Sequence, residues 1–266
     1  MRSAQAYIHP EAKLGKNVTV EPFAYISKDV VIGDGTWVGP HAIVMDGARI
    51  GANCKIFPGA VVSAIPQDLK FKGEETVAVI GDNTTLRECV TVNRGTFSRG
   101  RTVVGSNCLL MAYAHIAHDC ILGNYIIIGN ATQLAGEVEI DDFAILSGGC
   151  LIHQFERIGA HVMVQGGSKV NKDVPPYALA GRDPLSFVGV NVIGLRRRNF
   201  DADKINEIQQ IYRILYSKGL NISQATNEIE TTMPLTPERD QILNFIKKSE
   251  RGVIRIVNQK NAGKEK

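Results

Sequence analysis

The sequence predicts an all-β solenoid, a parallel β-helix of hexapeptide repeats, followed by a small α-helical domain. Three observations carry this. Every sixth residue from Ile8 to Val170 is Ile, Leu or Val, except at Asp68, Glu74 and Ser98. One aliphatic per six residues is neither the 3.6-residue period of a helix nor the alternation of a half-buried strand. The repeat stops near Pro175-Pro176, and beyond Asp201 the apolar positions Ile205, Ile208, Tyr212 and Leu215 fall three and four residues apart, as in a helix. There are 26 glycines but only 6% aromatic residues, which suits a thin coil with frequent turns better than a bulky mixed core.

From Ile8 the chain reads IHPEAK, LGKNVT, VEPFAY, ISKDVV and onward in the same phase. Each hexad is a short straight segment ending in a turn, with its aliphatic pointing inward. Three hexads close one triangular coil, so residues eighteen apart stack at the sheet spacing of about 4.8 Å. Four of the five cysteines (54, 108, 120 and 150) share the fifth hexad position, where a small inward side chain fits. The cysteine count is odd and there is no CxxC pair, so these read as buried thiols in a reducing compartment. Residues 66–78, PQDLKFKGEETVA, and 97–102, FSRGRT, lose the aliphatic and gain charge. They predict loops thrown out from the coil, where substrate contacts commonly sit on a rigid scaffold.

Past the repeat, a first helix runs from Asp201 with Gly219 as its C-cap, and a second starts near Ser223. A third starts at Thr236-Pro237-Glu238, with threonine as N-cap and proline at the first helical position. The expected division is a coil over 1–190 and a helical domain over 191–266, whose packing covers one open end of the coil. A formal charge of +3 is too small to argue for nucleic acid. The opening MRSAQAYIHP lacks the apolar core of a signal peptide, and no run of about 18 apolar residues offers a transmembrane segment. A cytoplasmic protein is expected.

The stretch AHIAHDC, residues 114–120, brings chemistry onto this frame. His118 is the third residue of its hexad. The same column one and two coils on holds Gly136 and Gln154, and the neighbouring column holds Ala117, Ala135 and His153. His118, Gly136, His153 and Gln154 therefore share one patch, with His115 in the preceding hexad, one corner away. Zinc needs at least three ligands within about 2.1 Å of one point. His118 and His153 are two coils apart, roughly 10 Å, so one chain does not assemble such a site. A satisfied turn histidine is the plain alternative. The stacking of polar groups beside a bare glycine favours a third role, in which His118 is a general base and the uncovered Gly136 amide stabilises an oxyanion. Asp119 then either orients the ring or meets substrate.

Seven stretches carry a family resemblance: QDLK (67–70), RECVTVNRGT (87–96), NCLLMAYAHIAHDC (107–120), IHQFERIGAHVMV (152–164), DVPPY (173–177), GVNVIGLRRR (189–198) and RGVIR (251–255). Over essentially the whole chain they resemble the acyl-carrier-protein–UDP-N-acetylglucosamine O-acyltransferases of lipid A biosynthesis. The resemblance implies a left-handed coil, an exception to the usual right-handed crossover, and a homotrimer with active sites at the subunit clefts. It implies transfer of a 3-hydroxyacyl group from acyl carrier protein to the 3-hydroxyl of the UDP-sugar. No cofactor is implied beyond the carrier's own phosphopantetheine. On this resemblance His118 is the base and Gly136 the oxyanion donor. Asp68, Lys70, His115, His153, Gln154, Asn191, Arg197 and Arg198 contact substrate, and Met163 and Gly166 line the acyl groove. The guanidinium groups at 196–198 suit a diphosphate and an acidic carrier protein. The gamma-class carbonic anhydrases, which share the coil, use a histidine pair five apart that is absent around 115–118. Two departures stand out: Glu137 where the family commonly has histidine, and Ile193 where it often has glutamate. The alternatives are another hexapeptide acyltransferase, either amino-sugar N-acyl or acetyl-CoA-dependent, and a non-enzymatic scaffold. The N-acyl enzymes normally carry an extra N-terminal domain, whereas here the coil begins at Ile8.

Overall fold

The computed structural model describes residues 1–217 and 219–256. The chain winds into a left-handed coil whose walls are three sheets of nine, eight and ten strands. Most strands are two residues long and straddle the hexad boundary, as in His115–Ile116, with the first residue half-buried and the second buried. Pairing steps by eighteen along the later coils, His115 with Gln133 and Gln133 with Leu151. The inward aliphatics stack into one column, in which Ile56, Leu86, Leu110, Ile128 and Leu146 are fully buried. Each fully buried side chain of this size contributes about 1.5–3 kcal/mol.

The fourth hexad position takes positive φ at many corners, at Asn17, Asn53, Asn83 and Asn107 among others. Asparagine tolerates that region, but bulkier residues also occupy it: Tyr125, Phe143 and His161. Their rings stack coil upon coil, with centroids 4.8 Å apart for Tyr125–Phe143 and 4.9 Å for Phe143–His161. Such pairs contribute about 0.5–1.5 kcal/mol beyond their buried area, which offsets the strained backbone.

Two loops leave the coil without breaking its phase. Val62 pairs with Val92 and Ile80 with Val104, because the first loop adds two hexads of chain and the second adds one. Asp68, Glu74 and Ser98, the three non-aliphatic slots, lie in those loops. The loops span 66–76 and 94–100, not 66–78 and 97–102. Strands Val77–Ile80 and Arg101–Val104 begin where side chains again alternate, with Ala78 and Thr102 facing in.

Beyond Pro176 the structure adds a hairpin that the hexad count does not reveal. Ala178–Gly181 extends one sheet in parallel, and Ser186–Val190 then pairs antiparallel at its edge. Four helices follow among the described residues: α1 (Val192–Arg197), α2 (Ala202–Ser217), α3 (Ile222–Thr232) and α4 (Pro237–Lys247). Ile205, Ile208, Tyr212 and Leu215 of α2 are buried as their spacing predicts, and Phe187 of the hairpin stacks on Tyr212 at 4.7 Å. Thr236 caps α4 by accepting from the Arg239 amide. Helix α3 starts one residue before Ser223, because Asn221 and Gln224 form a reciprocal capping box. Gly219, just past α2, has φ +70°. No helix among the described residues is long and apolar enough to cross a membrane.

One inward slot holds an acidic group, where buried threonines and a serine are the other polar residues. Cysteines 54, 108, 120 and 150 are buried free thiols at the fifth position, as expected, and Val138, Ala144 and Val162 fill equivalent slots. At 156 the same slot holds a glutamate that is fully buried. Neither of its carboxylate oxygens has a hydrogen-bond partner among the described residues, and the Arg251 guanidinium stands 3.7 Å away. Burial, and then the neighbouring charge of Asp173, raise its pKa to about 7. Below the ordinary carboxylate pKa both folded and unfolded chains hold this proton. As pH rises toward and through 7 the unfolded chain ionises first, so the stability present at low pH is lost. Glu156→Gln is therefore expected to flatten the fall in stability between pH 5 and pH 8 by roughly 2–3 kcal/mol. Urea unfolding of both chains at the two pH values measures this; equal declines would refute it.

Candidate active site

The site is built at one corner of the coil. Strand His115–Ile116 runs out through Ala117 into a turn made by His118 and Asp119, with Asp119 at φ 61°. One coil on, the same turn is Gly136-Glu137. A Cβ at position 136 would stand 2.5 Å from Cε1 and 2.6 Å from Nε2 of His118. Only a glycine lets the imidazole lie on the backbone of the next coil. The Gly136 N–H donates to no group among the described residues, and the residue itself is buried.

The ring is oriented from behind. Nδ1 of His118 lies 2.8 Å from Oδ2 of Asp119, whose side chain is completely buried. A carboxylate in its ionised form only accepts, which would put the hydrogen on Nδ1 and the lone pair on Nε2. Asp119 thus orients the ring and, being buried, does not itself reach substrate. Oδ2 of Asp68, on the 66–76 loop, is 4.0 Å from Nε2.

A cavity of about 710 Å³ opens in front of Nε2. His115, His118, Gly136, His153 and Gln154 all line it, together with Gln67, Gln133 and Lys169. His115, expected one corner away, shares this cavity. Its strand straddles the hexad boundary, so the sixth residue of one hexad points out on the same face as the turn that follows. Its Nδ1 is 2.7 Å from the Thr91 hydroxyl, and burial together with the nearby His118 holds its pKa below the ordinary histidine value. Gln67, Gln133 and Lys169 were not anticipated; the two strand positions follow from stacking on His115 and Leu151.

The other expected site residues lie elsewhere on the chain. Lys70 is exposed on its loop. Asn191 is spent locally: it caps α1 through the Gly194 amide and donates to the His161 carbonyl. Arg198 donates to the Phe143 carbonyl at 2.7 Å, with its guanidinium 5.5 Å from the centre of that ring, and Arg197 is exposed. This is the neighbouring corner of the coil, where burial, and then Arg198, lower the pKa of His161 to about 4. Met163 sits in the ten-stranded sheet, and Gly166 follows that strand beside the Gly148 carbonyl. Glu137 accepts from the Ser98 hydroxyl at 3.1 Å and faces Arg99, which also binds Glu139 at 2.8 Å.

Known proteins match this chain in sequence and in fold. Residues 173–254 match a family model described as UDP N-acetylglucosamine O-acyltransferase, domain 2. Residues 29–64 and 101–136 match the bacterial transferase hexapeptide model. An acyl-(acyl-carrier-protein)–UDP-N-acetylglucosamine O-acyltransferase of Ectopseudomonas mendocina is 45% identical over 189 residues, covering 71% of this chain and 73% of that protein. The crystal structure of a UDP-N-acetylglucosamine acyltransferase from Bacteroides fragilis is 55% identical, with a TM-score of 0.95 over 96% of this chain and 100% of that one. The corresponding Francisella novicida structure is 38% identical with a TM-score of 0.95, covering 98% of this chain and 96% of that one.

Proposed function

The chain belongs to the acyl-carrier-protein–UDP-N-acetylglucosamine O-acyltransferase family, and we propose a one-step acyl transfer centred on His118. A 3-hydroxyacyl group passes from the thioester of acyl carrier protein to the 3-hydroxyl of UDP-N-acetylglucosamine, the first step of lipid A biosynthesis. The observation that carries this is the His118 ring, tied at Nδ1 to Asp119 and lying over the bare backbone of Gly136.

In the ground state Nε2 faces the cavity with its lone pair free. It takes the proton of the sugar hydroxyl as that oxygen attacks the thioester carbonyl, and the buried Asp119 carboxylate stabilises the imidazolium that forms. The tetrahedral oxyanion accepts a hydrogen bond from the Gly136 N–H. Its collapse expels the carrier's thiolate, which receives the proton from Nε2 and leaves as the thiol. The ester forms as the thioester breaks, and His118 ends as it began, so no resident cofactor is required.

Asp68 beside Nε2, and His115, His153 and Gln154 along the cavity, offer polar groups suited to a sugar nucleotide, and Lys70 extends from the same loop as Asp68. Asn191, Arg197, Arg198, Met163 and Gly166 lie off this cavity on other faces of the same chain. A homotrimer, in which a neighbouring copy brings its own corner and groove to each His118 cavity, reconciles their distance with their roles in the resemblance. The need for acyl carrier protein places the enzyme in the cytoplasm.

The test is acyl transfer to UDP-N-acetylglucosamine from 3-hydroxyacyl carrier protein, from acetyl-CoA, and to the 3-amino sugar analogue, with the mass of the active assembly measured alongside. Turnover with the carrier thioester and the N-acetyl, 3-hydroxy sugar by a three-chain particle is expected. Turnover with acetyl-CoA alone would overturn the donor, turnover with the amino sugar alone the acceptor, and an active single chain the shared site.

A further inference from the structure

We infer that Thr96, on the 94–100 loop, is a positioning residue for acyl transfer: it fixes the Asp119 carboxylate that in turn fixes the His118 ring. The inference rests on His118 acting as the base. The Thr96 hydroxyl donates to Asp119 Oδ2 at 2.6 Å, and its amide lies 3.0 Å and 3.1 Å from the two carboxylate oxygens. The Arg99 amide adds a contact to Oδ1 at 3.2 Å. From the other side, the Asp119 amide donates to the Thr102 hydroxyl at 2.8 Å.

This carboxylate is wholly buried, and no lysine or arginine among the described residues pairs with it. The Arg99 guanidinium is turned away to Glu137 and Glu139. Hydrogen bonds must stabilise the charge instead, and three of the four donors come from the loop. Oδ2 is the oxygen that both Thr96 and His118 Nδ1 engage. The hydroxyl therefore sets the rotation of the carboxylate and, through it, the direction of Nδ1–H and of the Nε2 lone pair. Thr96 can do this because its own position is determined. Its carbonyl accepts from the Gly100 amide at 2.8 Å and its hydroxyl accepts from the Ser98 amide at 3.1 Å, closing the tight turn between them. The one-hexad insertion that interrupts the coil thus serves the chemistry: it delivers three donors to a carboxylate that otherwise meets only the His118 ring.

Such a chain acts as a unit, so removing its remote member loosens the ring without touching substrate. Thr96→Val keeps the shape and the amide but deletes the hydroxyl. It is expected to lower kcat about tenfold while KM for the sugar nucleotide stays within about twofold, since no substrate contact is lost. A ring loosened from the Asp119 carboxylate loses the partner of its protonated form, so the acidic limb of the kcat/KM–pH profile should move to lower pH. Asp119, Asp68 and His115 are the titratable groups facing that ring, and none is altered in the variant. Thr96→Ser restores the hydroxyl and should restore both rate and midpoint. The ¹⁵N shifts of the His118 ring, measured on the folded protein, report the Nδ1–H tautomer directly and should lose that signature only in Thr96→Val. Wild-type kcat, midpoint and ring shifts in Thr96→Val, alongside an inactive His118→Ala, would overturn the inference alone. So would a loss of rate that Thr96→Ser fails to restore. Wild-type turnover in His118→Ala would overturn the base and this inference together.

Discussion

His118→Ala is expected to reduce kcat by about 10³-fold, within the 10²–10⁴ range of a positioned general base, while the protein stays folded. The size follows from what the ring does alone at this corner. Asp68 stands 4.0 Å from Nε2, but it sits on a loop and its carboxylate accepts from the Lys70 amide at 2.9 Å. His115 is engaged at Nδ1 by Thr91. Neither inherits the proton transfer. The fold survives because the aliphatic column beneath the corner, Ile116 and Leu134, is untouched and fully buried, and because Asp119 keeps the donors of the 94–100 loop. Steady-state turnover beside a thermal melt gives the answer. A variant that melts like the wild type and retains more than a tenth of its turnover would remove His118 from the chemistry.

The coil was legible because its signal is redundant: one aliphatic in six, repeated over more than 150 residues, fixes both the period and the inward face. Stacking His118 on Gly136 required only a count of eighteen, and the ring-to-backbone approach repeats that count in three dimensions. What remained hidden depends on contacts that no period encodes. The hairpin Ala178–Val190 has strands longer than the usual two residues of the repeat, and its second strand runs in the opposite direction. Helix α1 is six residues long, too short for a periodic signature, and is announced only by its Asn191 cap. Thr96 reaches Asp119 from a loop whose path the hexad rule leaves undefined, twenty-three residues back along the chain. Glu156 stands in a slot whose neighbours are apolar, and only the fold brings Arg251 to it. Arg197 and Arg198 carry a different lesson. They look like site residues in the sequence, and in the single chain they stand at another corner, which is intelligible if the catalytic cleft is shared between copies.

Gly136→Ala is expected to cost about 10²–10³ in kcat, the scale associated with disrupting an oxyanion site, although it adds a single methyl group and deletes no polar atom. The backbone there is compatible with alanine, since the positive φ at this corner belongs to Glu137 and not to Gly136. The harm comes from contact. The new Cβ falls 2.5 Å from Cε1 of His118 and 3.2 Å from Nδ1. The ring cannot retreat along its own plane, because Nδ1 is held by Asp119 at 2.8 Å and the His118 carbonyl accepts from the Glu137 amide at 3.0 Å. It must rotate, which breaks the Asp119 contact and carries Nε2 away from the place where the hydroxyl lies. A double substitution separates this from damage to the amide donor. If the methyl group acts through the ring, His118→Ala with Gly136→Ala turns over no more slowly than His118→Ala alone, because the group it displaces is gone and the amide remains. A further tenfold loss in the double variant would instead locate the effect at the backbone N–H.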